Sequence, residues 1–185
     1  MTDPQIIDLF FERSEQAIAE LAKNLEKPVR NVAYNILGNL QDAEECVNDT
    51  WIAVWNSIPP HSPSPLRTFV CRIARNLATK KYHANTAQKR NSQYDVALDE
   101  LAECIPDSRL VEDIYSAKEL SSIINHFLDT LSYEDRFIFM RRYWYSDSLT
   151  DIVRMTNMSY SSISVRLNRI RNKLKKILMK EGLLV

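Results

Sequence analysis

Apolar residues recur every three to four positions along most of this 185-residue chain, a spacing that predicts amphipathic helices. The first such pattern covers residues 4–26. Pro28 is expected to open a second helix, because proline is favoured at the first helical position, and Gly38 is expected to end it. The chain is therefore predicted to begin with two helices separated near Pro28.

A third helical pattern covers residues 41–58 and is expected to begin at Asp42. It stops at the polar loop PPHSPSP, residues 59–65, where closely spaced prolines break a helix. A fourth helix is predicted over residues 66–83. Its buried face is expected to comprise Leu66, Phe69, Val70, Ile73 and Leu77. These four helices predict one compact unit ending near Arg90.

Periodicity fades between about residues 88 and 112, where acidic residues accumulate. A linker is favoured there, and a short helix over 96–104 is the alternative. Helical spacing returns near Ile114. Three serines then stand where N-caps are expected, namely Ser132, Ser148 and Ser159. Short helices joined by a tight turn and followed by a long basic helix predict a helix-turn-helix unit.

Composition also favours helix, because the chain holds only two glycines, Gly38 and Gly182, and few β-branched runs. We therefore expect an all-α fold of two small helical domains joined by a flexible acidic linker. No apolar run approaches 18 residues and the chain starts without a signal-peptide pattern, so a cytoplasmic location is expected. Three cysteines and three histidines are scattered without metal-site spacing, and no cofactor is expected.

Charge adds a further division, although the net charge is zero. Residues 1–58 carry a net charge of −6, residues 59–92 +7, residues 93–135 −9 and residues 136–185 +8. Blocks of this kind indicate separate surfaces for separate partners. The basic blocks suit a polyanion, and the first acidic block suits a different partner.

The last predicted helix is strongly one-sided. Its apolar stripe is formed by Ile163, Leu167, Ile170, Leu174 and Ile177. A basic stripe beside it holds Arg166, Arg169, Lys173, Lys176 and Lys180, while Ser161, Asn168 and Asn172 face away. Small polar residues followed by cations predict a recognition helix for duplex DNA. A solvated helix favoured by its dipole is the alternative, but that effect is confined to the last turn.

The predicted fourth helix is also basic and contains no acidic residue. One side of it holds Arg72, Asn76, Thr79 and His83, with Arg75 and Lys80 beside them. Guanidinium and amide groups near aromatic side chains suit single-stranded or distorted DNA. Phe69 is expected in the core rather than among these groups, because of its spacing from Ile73 and Leu77.

The predicted third helix presents an acidic face opposite its apolar stripe. This face holds Glu45, Asp49, Ile52 and Asn56, with Asn48 and Trp55 at its edge. Acidic, amide and exposed apolar side chains together are typical of a protein interface. An acid–base pair of Glu45 and Asp49 is the alternative, but no nucleophile motif or metal-ligand set accompanies it, so no enzymatic activity is expected.

These stretches resemble the sigma factors of bacterial RNA polymerase, of the extracytoplasmic-function (ECF) type. The family's second conserved region is similar to NILGNLQDAEECVNDTWIAVWNSIPP and FVCRIARN in this chain. Its fourth region is similar to LSYEDRFIFMRRYWYSDSLTDIVRMTNMSYSSISVRLNRIRNKLKKIL. The resemblance implies a region 2 domain over residues 1–92, an acidic linker over 93–113 and a region 4 helix-turn-helix domain over 114–185.

The resemblance also implies functional residues and partners. The expected polymerase contacts are Glu45, Asn48, Asp49 and Ile52. The expected contacts with the −10 promoter element are Arg72, Arg75, Asn76, Lys80 and Arg90. The expected contacts with the −35 element are Ser161, Ser162, Ser164, Arg166, Arg169 and Lys173. The implied partners are core RNA polymerase, promoter DNA and an anti-sigma protein.

The leading hypothesis is therefore a promoter-specificity subunit that directs core polymerase to particular promoters and performs no catalysis. The alternative is a stand-alone helix-turn-helix regulator, which leaves the acidic face and the basic fourth helix without a function. A hydrolase that uses the scattered carboxylates is a third hypothesis, and it rests on composition alone.

Overall fold

The computed structural model describes residues 1–85, 92–102 and 117–181, and every regular element in these ranges is helical. The chain divides into two compact units, Met1–Ser92 and Gln93–Val185. The prediction of an all-α fold is confirmed. Within the described ranges, no helix combines the length and the apolar character needed to cross a membrane.

The described part of the first unit, residues 1–85 and Ser92, contains four helices. They are α1 (Asp3–Phe11), α2 (Gln16–Leu37), α3 (Leu40–Ser57) and α4 (Leu66–Asn85). Helix α2 packs against both α3 and α4, which also contact each other. The core between them is apolar, and Phe10, Leu21, Val54 and Val70 are completely buried. Burial of this apolar surface is the main stabilising term of the unit.

Helices α1 and α2 divide at Arg13, so the predicted boundary at Pro28 is wrong. Helix α2 continues through Pro28, with Leu25 and Val29 buried on either side of it. Packing of this continuous apolar stripe offsets the hydrogen bond that proline removes. The chain turns where Arg13 adopts a positive φ of 54°, and its guanidinium donates to the Trp55 carbonyl oxygen at 2.8 Å.

Helix α3 begins at Leu40, two residues before the predicted start at Asp42. Asn39 is the N-cap, and its side-chain oxygen accepts a hydrogen bond from the Gln41 amide at 2.9 Å. The capping amide therefore determines where the helix starts. The predicted end of α2 is confirmed, because Gly38 caps that helix with a left-handed φ of 66°.

The buried face of α4 differs from the predicted one. It comprises Leu66, Val70, Cys71, Ala74 and Ala78. Phe69 and Ile73 are only partly buried and pack against the edge of the core. At the contact with α3, Cys46 Sγ lies 3.7 Å from the Ala74 carbonyl oxygen. Close packing of α3 against α4 therefore requires small side chains on the buried face of α4, whereas periodicity alone predicted that the large residues would be buried.

The second unit contains five α-helices in the described residues. They are α5 (Gln93–Ala102), α6 (Ala117–Asp129), α7 (Tyr133–Phe139, continued by a π-helix over Met140–Trp144), α8 (Leu149–Thr156) and α9 (Tyr160–Lys180). The three predicted N-caps are confirmed: Ser132, Ser148 and Ser159 each accept a hydrogen bond from the amide three residues later. Helices α8 and α9, joined by a turn in which Asn157 is left-handed, form the helix-turn-helix pair.

Helix α5 occupies the first part of the predicted linker, so residues 93–102 are helical rather than flexible, in line with the alternative of a short helix over 96–104. Tyr94 and Ala97 are buried, and Ala97 belongs to the core of the second unit. Apolar residues at helical spacing pack α5 against the second unit. The carboxylate of Glu100 in this helix pairs with Arg142. Residues 103–113 of the predicted linker and Arg90 lie outside the described residues.

Candidate protein and nucleic-acid interfaces

Helix α3 presents the four predicted polymerase contacts on one exposed face. Glu45, Asn48, Asp49 and Ile52 are all exposed, and Ile52 retains 60% of its accessible surface. The opposite side of the helix is buried in the core of the first unit. The structure therefore brings the four side chains together, as the spacing of three and four residues predicts.

Lys81 of α4 reaches the edge of this acidic face. Its Nζ lies 2.7 Å from Glu45 Oε2 and 2.9 Å from Asp42 Oδ1. Burial lowers the pKa of Lys81, but the hydrogen bonds to Glu45 and Asp42 outweigh that effect and the net pKa is raised. Lys81 belongs to the basic helix α4. Its acids come 36 residues earlier or more, so no local pattern could have indicated the pairing.

The two described cysteines are structural. Cys46 and Cys71 are buried, and burial raises the pKa of the Cys46 thiol to about 11. A thiol with that pKa is protonated at neutral pH and is a poor nucleophile. In the parts of the chain that the structure describes, no three His, Cys, Asp or Glu side chains are grouped as a metal site requires.

Helix α4 exposes a polar side that holds most of the predicted −10 contacts. Arg72, Asn76 and Lys80 are exposed at intervals of four residues, and Arg75 beside them is half-buried. Successive positions at this interval follow one side of a helix, so the three side chains can act on one extended ligand. Arg90, the fifth predicted contact, lies outside the described residues.

An open cleft of about 330 Å³ lies between the proline-rich loop and the start of α4. Its lining includes His61, Thr68, Phe69 and Arg72. The Phe69 ring lies 6.2 Å from the His61 ring, and the Arg72 guanidinium lies 5.7 Å from the centre of the Phe69 ring. Phe69 is therefore a wall of the cleft as well as a neighbour of the core. Its helical spacing favoured the core over a stacking position, because the position of the loop is not a periodic signal.

Helix α9 exposes four of its six predicted contacts: Ser161, Ser164, Arg169 and Lys173. Ser162 is half-buried, and its backbone amide donates to the Ser159 cap. The Lys173 ammonium donates to the Thr130 carbonyl oxygen at 2.9 Å, so this cation is held near the end of α6. The exposed residues form a polar first turn with cations behind it, as the sequence predicts.

Arg166 is placed differently from the expectation for a DNA contact. It is 28% exposed, and its Nη1 lies 3.0 Å from both Glu134 Oε2 and Asp135 Oδ1. Arg169 is 70% exposed and lies at 3.6 Å from the same Asp135. Arg166 thus joins α9 to the start of α7. Val165 and Asn168, which were not among the predicted contacts, are exposed between the predicted ones.

Glu100 of α5 is the centre of a polar cluster in the second unit. It accepts two hydrogen bonds from Arg142, at 2.7 and 3.2 Å, and others from Tyr143 and Arg171 at 3.0 and 3.3 Å. Arg142 is only 2% exposed and also donates to the Asp147 carbonyl oxygen. Burial raises the pKa of the Tyr143 phenol, and the Glu100 charge adds to that effect. We call Glu100, Arg142, Tyr143 and Arg171 the Glu100 cluster.

The chain is similar to known proteins in part or over most of its length. Residues 21–88 match the family described as Sigma-70 region 2. The chain is 24% identical over 170 residues to the ECF RNA polymerase sigma factor SigW of Bacillus subtilis (strain 168), covering 88% of this chain and 89% of that protein. A solved structure of CnrH in complex with the cytosolic domain of CnrY aligns over 96% of this chain and 97% of the other, at 16% identity and a TM-score of 0.44.

Proposed function

With these sequence matches supporting an ECF factor of the sigma-70 family, we propose that the chain binds core RNA polymerase and directs transcription initiation at particular promoters. It recognises a −10 element with its first unit and a −35 element with its second. The protein itself performs no catalysis and needs no cofactor. It acts in the cytoplasm, where polymerase and promoter DNA are found.

The observation that carries this proposal is the exposed acidic face of α3. Glu45, Asn48, Asp49 and Ile52 lie inside the segment that matches Sigma-70 region 2. A face with two carboxylates and an exposed isoleucine is unsuited to DNA but suited to a basic protein surface. A regulator that bound only DNA would have no use for it. We propose that this face binds core polymerase.

The basic side of α4 supports recognition of the −10 element. Arg72, Asn76 and Lys80 follow one exposed side, and the adjoining cleft has the aromatic wall Phe69. Cations that follow a phosphate backbone, beside an aromatic wall against which a base can stack, suit DNA whose bases have left the duplex. We propose that this side, together with Arg75 and Arg90, holds the opened −10 strand.

The exposed side of α9 supports recognition of the −35 element. Ser161, Ser164 and Arg169 are positioned to meet base edges, while Lys173 meets phosphate. Arg166 and Ser162 are assigned supporting roles, because one is ion-paired to α7 and the other is half-buried at the cap. We also propose an anti-sigma protein as a partner, on the resemblance to the family alone.

A transcription assay tests the proposal directly. The purified chain is added to core polymerase freed of other sigma factors, with genomic DNA fragments as templates, and transcript 5′ ends are mapped. Initiation at a defined set of sites is expected only when the chain is present. DNA binding without any stimulation of initiation would instead indicate the stand-alone regulator.

Charge reversal at Asp49 tests the polymerase face. Asp49→Lys is expected to weaken core binding by about tenfold or more, because it sets like charges against each other. DNA binding by the free chain should be unchanged. The matched control is Asp8→Lys, which reverses an exposed acid on α1. Equal loss of core binding in both variants would contradict the proposed interface.

A further inference from the structure

The centre of the exposed side of α9 is an apolar residue. Ser161, Val165, Asn168 and Asn172 follow one another at steps of four, three and four residues, and all four are exposed. These steps keep a side chain on one line along a helix. Val165 is 68% exposed, more than any other aliphatic residue of this helix. The line that faces away from the protein therefore has a valine in its middle.

The surroundings of Val165 are polar and cationic. It lines an open groove of about 440 Å³ together with Asn168, Arg169, Asn172, Lys173 and Lys176. The Asn172 side-chain amide donates to Asn168 Oδ1 at 3.3 Å, which holds the two amides side by side. A single exposed apolar residue is common on protein surfaces and needs no explanation. Val165 is distinguished by its position, because cations and amides surround it on the side proposed to enter the major groove.

The major groove offers a matching group. The C5 methyl of thymine is the apolar group on the base edges that line this groove, and apolar side chains contact it in known complexes. The cations Lys173 and Lys176 border the groove on the protein and are suited to phosphates. A helix whose cations meet a phosphate backbone along one side brings the adjoining middle of its outward line toward the base edges.

We propose that Val165 is a specificity-determining residue, which selects thymine in the −35 element by packing against the thymine methyl group. This inference rests on the proposed function and deepens it. It adds the middle of the outward line to the proposed base contacts of Ser161, Ser164 and Arg169. Arg166 is held by Glu134 and Asp135 instead, and it acts as a positioning residue that fixes the depth of α9.

The experiment uses holoenzyme assembled from core polymerase and the full chain. Preferred −35 sequences are first selected from a pool of promoters randomised in that element. Each selected thymine is then replaced by deoxyuridine, which removes only the methyl group, and binding is measured for wild type and for Val165→Ala. The exposed valine contributes little to packing and alanine favours helix, so the variant should fold normally.

At one thymine position, wild type is expected to bind the deoxyuridine promoter about fourfold more weakly, as burial of one methyl-sized group predicts. Val165→Ala is expected to bind both promoters equally, at the weaker level. The control Met179→Ala removes an exposed apolar side chain from the same helix, about 21 Å further along its axis. It should retain the wild-type preference for thymine.

Three outcomes would overturn the inference. The first is an equal sensitivity of wild type and Val165→Ala to deoxyuridine at every position. The second is weaker assembly of Val165→Ala with core polymerase and an unchanged sequence preference, which would assign the valine to a protein contact. The third is selection of −35 sequences without thymine. By contrast, failure to form any promoter-selective holoenzyme would reject the proposed function itself.

Discussion

The two units each contain an ion-pair cluster between a basic and an acidic helix, and the two clusters differ in burial. In the first unit, Lys81 pairs with Glu45 and Asp42 at the surface, where Lys81 is 21% and Glu45 64% exposed. In the second unit, Arg142 pairs with Glu100, and the arginine is only 2% exposed. Both clusters join residues that are distant in sequence. Only the second has a member, the arginine, that is fully enclosed by protein, while its Glu100 is 24% exposed.

This difference determines what each cluster does. A surface pair is solvated before and after it forms, so its net contribution is small. A buried charge cannot be solvated when its partner is removed, so breaking the pair is costly. We therefore assign a structural role to the Glu100 cluster, which fixes α5 to the helix-turn-helix unit. The Lys81 pair leaves the acidic face of α3 free to exchange partners.

The largest expected effect is that of Glu100→Ala. Removing this carboxylate leaves the buried Arg142 guanidinium without its charged partner, and we expect the second unit to lose about 3–5 kcal/mol of unfolding free energy. Amide hydrogen exchange in the full chain measures this, because it reports the stability of each unit separately.

The control for Glu100→Ala is Asp99→Ala, which removes an exposed acid from the neighbouring position of the same helix. It should change stability by no more than about 0.5 kcal/mol. Exchange in the first unit should be unaffected by either variant. If Glu100→Ala resembled its control, helix α5 would be a dispensable linker after all.

This comparison also separates the parts of the fold that sequence predicts from those that it does not. Ser132, Ser148 and Ser159 were predicted as caps because a cap depends on residues three positions away. The exposed face of α3 was predicted because periodicity within one helix defines it. At α5 a linker was favoured over a short helix because acidic residues accumulate there, and the partner that neutralises Glu100 lies 42 residues later. Pairings across such distances have no local signal.

The same limit applies within the candidate DNA interface. Periodicity placed Arg166 on the basic stripe and the resemblance implied a contact with the −35 element, but its acids, Glu134 and Asp135, come 32 and 31 residues earlier. Periodicity assigns a residue to a side of a helix and says nothing of the neighbouring helix. The exposure of Val165, by contrast, follows from periodicity, because this residue shares the outward line of Ser161, Asn168 and Asn172.

An intermediate effect is expected from Asp135→Ala, which breaks a partly exposed cluster. Asp135 is 15% exposed and pairs with both Arg166 and Arg169. Its loss should cost about 1–2 kcal/mol of stability, since hydrogen bonds to charged groups are involved. It should also leave Arg166 and Arg169 available to DNA, so that the non-specific affinity for DNA rises. The slope of log affinity against log salt concentration should then become steeper by about one.

Fluorescence anisotropy with a random duplex, repeated over a series of salt concentrations, measures this change. Asp129→Ala is the matched control, because it removes an exposed acid that pairs with Arg136 rather than with α9. Unchanged affinity and salt slope in Asp135→Ala would mean that Arg166 and Arg169 do not become available to DNA.

The smallest effect is expected from Lys81→Met, which removes the surface pair of the first unit. We expect a loss of about 1 kcal/mol or less, measured by denaturant unfolding against the neighbouring exposed control Lys80→Met.

The pKa of Lys81 is raised by its partners, so its stabilising contribution is complete below the pKa of an unfolded lysine and is lost only as the pH rises past the raised value. The difference between wild type and Lys81→Met should therefore be constant from about pH 6 to 9. A loss as large as that of Glu100→Ala would mean that burial does not distinguish the two clusters.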